Sequence, residues 1–132
     1  MNPKIDMNRV HPELREALKM MPGGNFTRES LPAMREMMNA MPMSPAPEDP
    51  SISVYNKMIP GPEGAPEVRV RIYEPTDKNQ AGPGLLYIHG GGYFVGSPET
   101  TDFFCIHAVQ EIGCVVVSVD YRLAPDTPYP GP

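Results

Sequence analysis

His89-Gly90-Gly91-Gly92, followed by Tyr93-Phe94-Val95-Gly96, places three consecutive glycines directly after the apolar run Leu85-Leu86-Tyr87-Ile88. Glycine has no Cβ, takes positive φ at little cost and lets a ligand approach its main-chain N–H groups closely. Held by a fold and aimed at one point, such N–H groups stabilise the oxyanion that develops in acyl transfer. A plain turn has the same composition, so the surroundings decide between the two. Reading G-x-G-x-x-G from Gly90 puts Val95 at the last glycine position, and G-x-x-x-x-G-K-[ST] occurs nowhere, which disfavours both common phosphate cradles.

Acyl transfer also needs a nucleophile. The nucleophile elbow G-x-S-x-G is absent: none of the six serines, Ser30, Ser44, Ser51, Ser53, Ser97 and Ser118, has glycines on both sides at that spacing. Cys105 and Cys114 are the only cysteines; with no C-x-x-C spacing and no histidine at zinc-site intervals, they read as buried thiols, and neither a metal nor an organic cofactor is expected. The net charge of −5 and the lack of any Lys/Arg cluster argue against nucleic acid. With no apolar signal core and no run long enough to span a bilayer, a cytoplasmic protein without a membrane span is expected.

The glycine loop needs elements to hold it. Leu85 to Ile88, short, uncharged and bounded by glycine, reads as a strand buried on both faces of a mostly parallel sheet. Beyond the loop, Ser97-Pro98-Glu99 reads as a helix start with Ser97 as cap; the helix runs to about Glu111 and stops at Gly113, with Phe103, Phe104, His107 and Ala108 on one face. His107 is read as packing. Cys114 to Val119 is a second buried strand, and strand, helix and strand together form a parallel crossover that sets the glycine loop at the carboxyl edge of the sheet, where open α/β folds bind ligands.

Upstream, Ser51 to Ile59 and Pro66 to Tyr73 alternate apolar with polar residues around Gly61-Pro62-Glu63-Gly64 and predict an antiparallel hairpin, with Arg69 and Arg71 on its solvated face. Pro42 to Pro50, with four prolines in nine residues, reads as a linker. Before it, Pro12 to Met20 and Thr27 to Met41 predict two short amphipathic helices separated by Pro22-Gly23-Gly24. Nine of the ten methionines precede Ser44, so this helical pair presents adaptable side chains suited to packing or to lining a variable pocket.

After the second apolar strand the chain reads Asp120-Tyr121-Arg122-Leu123-Ala124-Pro125-Asp126. With His89-Gly90-Gly91-Gly92 and Gly96-Ser97 upstream, it closely resembles the hormone-sensitive-lipase-like branch of the α/β-hydrolases, esterases and lipases with HGGG and YRLAP signatures, and Asp126 stands where that family more often has glutamate. The resemblance implies an α/β fold: the amino-terminal part of an α/β-hydrolase, with a helical cap segment and linker over residues 1–45 and a partial hydrolase core over 46–132. It implies that the N–H groups of Gly91 and Gly92 form the oxyanion hole of carboxylic-ester hydrolysis, that His89, Gly90 and Gly96 shape the loop, and that Tyr121 and Arg122 brace it, Arg122 by pairing with a carboxylate. In that family the nucleophile, acid and base follow YRLAP, so this chain alone is expected to be inactive; the substrate of the complete enzyme is a small-molecule ester. In the family's strand order the Leu85 strand becomes an exposed edge, fit to associate with the missing carboxyl-terminal half or with a second chain. A non-catalytic binding or assembly module derived from the same fold is the alternative.

Overall fold

The computed structural model describes residues 6–20, 27–40, 48–77 and 82–132, which fall into two compact units, Met1–Met34 and Arg35–Pro132. The Pro22-Gly23-Gly24 break and most of the proline-rich linker lie outside the described residues.

In the first unit, Asp6 accepts a hydrogen bond from the Asn8 N–H at 3.0 Å and opens a 3-10 turn over Met7–Arg9. Helix α1, Pro12–Met20, follows with Glu13 in its first turn and Lys19 in its last, the charge order that a helix dipole favours. Helix α2, Leu31–Ala40, starts four residues later than the spacing predicts, and from Arg35 onward it belongs to the second unit. Thr27 and Ser30 each accept a hydrogen bond from the other's main-chain N–H, at 3.0 and 3.2 Å, a reciprocal capping arrangement that holds residues 28–30 as a turn. Pro32 then falls in the first helical turn, where its missing N–H leaves no bond unmade.

The second unit is a four-stranded sheet in the order β1-β2-β4-β3, where β1 is Ile52–Ile59, β2 Val68–Pro75, β3 Gly84–Ile88 and β4 Val115–Val119. Strands β1 and β2 form the antiparallel hairpin, closed by a turn in which Ala65 N–H donates to Pro62 O and Gly64 takes a φ of 79°. Strand β2 also pairs antiparallel with β4, and β3 pairs parallel with β4 in the register Leu85 to Val116 and Tyr87 to Ser118. Between β3 and β4 the chain makes a 3-10 turn, Pro98–Thr101, and helix α3, Asp102–Ile112, which ends at Gly113 in the left-handed conformation. Ser97 is the N-cap residue of that turn, as its position predicts, but its side chain makes no capping bond.

The core lies between α3 and the sheet: Tyr73, Cys105, Ile106, Ala108, Val109, Cys114 and Val116 are buried together, with Leu85 and Tyr87 against them. Both cysteines are buried free thiols. Three expectations need correction. The arginine face of β2 is not the solvated one: Tyr73, on that same face, is fully buried, and Arg71 donates to both carboxylate oxygens of Asp102 on α3 at 2.9 and 2.8 Å while the Tyr73 hydroxyl donates to one of them at 2.7 Å. On α3 the inward face is Cys105, Ile106, Ala108 and Val109; Phe103 and Phe104 are more than half exposed, and His107 stacks on Phe103 at the surface instead of packing in the core. The phase is set by Asp102, whose bonds turn it toward the sheet, so residues three, four and seven positions on follow it inward. Strand β3 is buried on one face only, because α3 covers Leu85 and Tyr87 while Leu86 and Ile88 stay 65% and 64% exposed. It stands at the end of the sheet, as the edge position predicts.

Candidate active site

At the carboxyl end of β3 the chain enters the glycine loop through His89, which is 3% exposed. The Tyr121 hydroxyl donates to the His89 carbonyl at 2.8 Å, and the two rings stack with centroids 4.2 Å apart. The His89 Nδ1 lies 2.8 Å from Gly90 O, and since a carbonyl only accepts, Nδ1 carries the proton. The other ring nitrogen, Nε2, is buried and has no hydrogen-bond partner among the described residues.

Gly91, Gly92 and Gly96 take φ of 135°, 59° and 99°, and Tyr93 follows Gly92 with a φ of 67°. The Gly91 carbonyl accepts from both Phe94 N–H and Val95 N–H, at 3.2 and 3.1 Å, and closes the turn. A side chain at Gly91 would collide with the Val95 carbonyl oxygen, and one at Gly96 would sit 2.7 Å from both Gly90 O and His89 Nδ1, so these two positions require glycine on space as well as on conformation. Among the described residues, no hydrogen bond engages the N–H of Gly91 or Gly92. Gly92 is exposed and Gly91 half-buried.

The loop is fastened from the segment after β4. Ala124 N–H donates to Tyr93 O at 2.8 Å. Arg35 reaches in with all its arms, Nε to Phe94 O at 2.7 Å, one Nη to Ala124 O and the other to Asp126 at 2.6 Å each. Behind the loop, Arg69 joins Glu99, just past the glycines, to Asp120, just before Tyr121, at 2.5 and 2.8 Å. The Arg69 guanidinium holds the Glu99 carboxyl down to about 2, against an ordinary 4.5. Burial, and then the bond to Asp102, push the Tyr73 hydroxyl well above its usual range.

Thus the structure brings together His89, Gly90, Gly91, Gly92, Gly96 and Tyr121. Among the described residues Arg122 makes no ion pair with a carboxylate; it is exposed and donates to the Gly131 carbonyl at 2.9 Å. Arg35 and Arg69 escaped the sequence reading. Arg35 lies 59 residues from its Phe94 partner, and no local pattern announces such a bond. Ser118 is fully buried within β4, so its hydroxyl meets no substrate. Among the described residues no group of His, Cys, Asp and Glu could hold a metal ion, and no helix is long and apolar enough to cross a membrane. A cavity of about 480 Å³ lined by Asp49, Ile52, Val54, Arg71 and Asp102 includes no residue of the glycine loop.

Residues 85–132 match the family model described as the alpha/beta hydrolase fold. Esterase LipI of Mycobacterium tuberculosis is 37% identical over 123 residues, which are 92% of this chain and 37% of that protein. Ethyl acetate hydrolase of Pseudomonas putida is 48% identical over 63 residues, 46% of this chain and 20% of that one. Among solved structures, a bacterial heroin esterase superposes with a TM-score of 0.79 at 36% identity, covering 96% of this chain and 40% of that chain. Fold, motifs and relatives agree: the chain belongs to the α/β-hydrolase fold family. Within that fold it belongs to the hormone-sensitive-lipase-like branch marked by HGGG and YRLAP, and it spans 37% and 40% of the length of the first relative and the superposed structure.

Proposed function

We propose that this chain is part of a carboxylic-ester hydrolase and supplies its oxyanion-hole loop. One observation carries the reading: Gly91 and Gly92 hold two consecutive N–H groups without partners in a turn that is fixed on both sides by Tyr121 and Ala124. During attack on an ester, charge collects on the carbonyl oxygen, and donors already in place stabilise it without reorganising. His89 supports the loop from below, Gly90 and Gly96 let it close, and Tyr121 braces it. Residues 1–45 serve as the cap segment and 46–132 as the partial core. No metal or organic cofactor takes part.

The same reading makes the 132-residue chain inert by itself, since it has no G-x-S-x-G. A donor pair without a nucleophile retains at most a residual fraction of triad catalysis. The names of the relatives favour small esters as substrates. The test exchanges the matching segment of the mycobacterial esterase for this chain and follows p-nitrophenyl butyrate hydrolysis beside the chain alone. Turnover by the chimera and none by the chain is expected. A folded chimera without turnover, or turnover by the chain alone that a serine-directed inhibitor abolishes, would overturn the proposal.

A further inference from the structure

Arg15 and Arg122 each donate to one main-chain carbonyl, but among the described residues only Arg35 bridges two. Arg69 and Arg71 each spend their main bonds on carboxylates, whereas Arg35 gives two of its three arms to main-chain carbonyls, Phe94 O in the glycine loop and Ala124 O in the segment after β4. Its third arm meets Asp126. Phe94 is therefore held at both ends, its N–H by the Gly91 carbonyl and its C=O by the guanidinium. Ala124 is held likewise, its N–H on Tyr93 O and its C=O on Arg35. One planar side chain, three-quarters buried, thus closes a ring of bonds that runs from Gly91 through Phe94 and Ala124 back to Tyr93. Four residues of that stretch, Gly91, Gly92, Tyr93 and Gly96, sit at positive φ; the glycines do so at little cost, but Tyr93, at a φ of 67°, holds a left-handed conformation that persists only where its surroundings fix it.

We propose that Arg35 is a positioning residue for the glycine loop: it touches no reacting atom and fixes the peptide groups on which the direction of the Gly91 and Gly92 N–H groups depends. As a role in catalysis this rests on the ester-hydrolase reading; as a clamp on the loop it does not. The geometry needs a guanidinium, since the fork of five N–H donors spans three acceptors in different directions, and a lysine ammonium at the end of a flexible stem cannot. Asp126 contributes less than the carbonyls, because it is 72% exposed and solvent screens it.

The first measurement is amide hydrogen exchange on the 132-residue chain and its Arg35→Lys, Arg35→Met and Asp126→Asn variants. In both Arg35 variants the Phe94 and Val95 amides, which donate to Gly91 O, are expected to exchange about tenfold faster or more, with Val70 and Val117 in the sheet unchanged. Asp126→Asn is expected to change them by about threefold or less. Wild-type exchange at Phe94 and Val95 in Arg35→Lys overturns the clamp, and so does equal acceleration at Val70 and Val117, which marks a purely global effect. The second measurement places Arg35→Lys in the esterase chimera: kcat is expected to fall about 10-fold to 100-fold with KM within about twofold of its starting value. An unchanged kcat with accelerated loop exchange overturns the catalytic role alone. A wild-type chimera without turnover refutes the ester-hydrolase reading, and the exchange result still decides the clamp.

Discussion

Gly91→Ala and Gly92→Ala make the same change, a methyl in place of one Cα hydrogen, at adjacent residues of one motif, and the structure predicts very different losses. At Gly92 the φ of 59° lies in the left-handed region that an alanine enters for about 1 kcal/mol. Its new methyl meets the edge of the Phe94 ring at 2.8 Å, and a ring can turn aside. The N–H stays where it is, so kcat in the esterase chimera should fall by about tenfold or less. At Gly91 the φ of 135° suits almost no residue with a Cβ, and the methyl collides with main chain, the Val95 carbonyl oxygen. That carbonyl cannot swing away cheaply, because the Phe94 and Val95 N–H groups are both tied back to Gly91 O. The turn must open and the donors lose their common aim. Loss of one oxyanion donor costs about 3–4 kcal/mol, or a factor of about 100 to 1,000 in kcat, and Gly91→Ala should lose at least that. Steady-state hydrolysis of p-nitrophenyl butyrate, with circular dichroism to check that each variant is folded, reads the ratio. Equal losses, or a larger loss at Gly92, would refute the reasoning from loop geometry.

The support beneath the loop gives two further tests. Tyr73→Phe keeps a fully buried ring and deletes only the hydroxyl that donates to Asp102, a bond to a charged acceptor; since Arg71 still holds both carboxylate oxygens, urea denaturation should show a loss of about 1.5 kcal/mol, and a change below about 0.5 would contradict the geometry. Glu99, held at about 2 by Arg69, titrates lower in the folded chain than in the unfolded one, so its stabilisation is full above pH 4.5 and disappears as pH falls toward 2. Undiscounted, that lowering corresponds to about 3 kcal/mol, but with 42% of the side chain exposed, screening leaves about 1 kcal/mol. Wild type should therefore exceed Glu99→Gln by about 1 kcal/mol at pH 7 and match it near pH 2 in urea titrations; a difference independent of pH would show that the Arg69 pair is not its source.

What the sequence made legible and what it hid divide along a physical line. Apolar runs and glycines act locally, so β3, β4, α3 and the glycine loop could be located from their own residues, and the left-handed Gly113 ends α3 where its position says it should. Alternation along β2 separates two faces but does not say which one meets a helix. Two arginines mark one face as the wet one, yet Tyr73 shares that face, and the core forms there. Charge on a strand marks solvent only when no opposite charge is packed above it; here α3 brings Asp102 and the preceding turn brings Glu99. The same bond sets the phase of α3. Ranking side chains by apolarity puts Phe103 and Phe104 inward, while the phase fixed by Asp102 carries Cys105, Ile106 and Val109 to the sheet. Arg35 was least visible of all, since its value depends on two carbonyls at positions 94 and 124 that carry no side-chain signal. The motif supplies the glycines of the loop, but the bonds that surround it come from distant segments: β2 through Arg69, which joins Glu99 to Asp120, α2 through Arg35 and the residues after β4 through Tyr121 and Ala124. A chain that kept HGGG and lost those distant partners would keep the signature and lose the direction of its N–H groups.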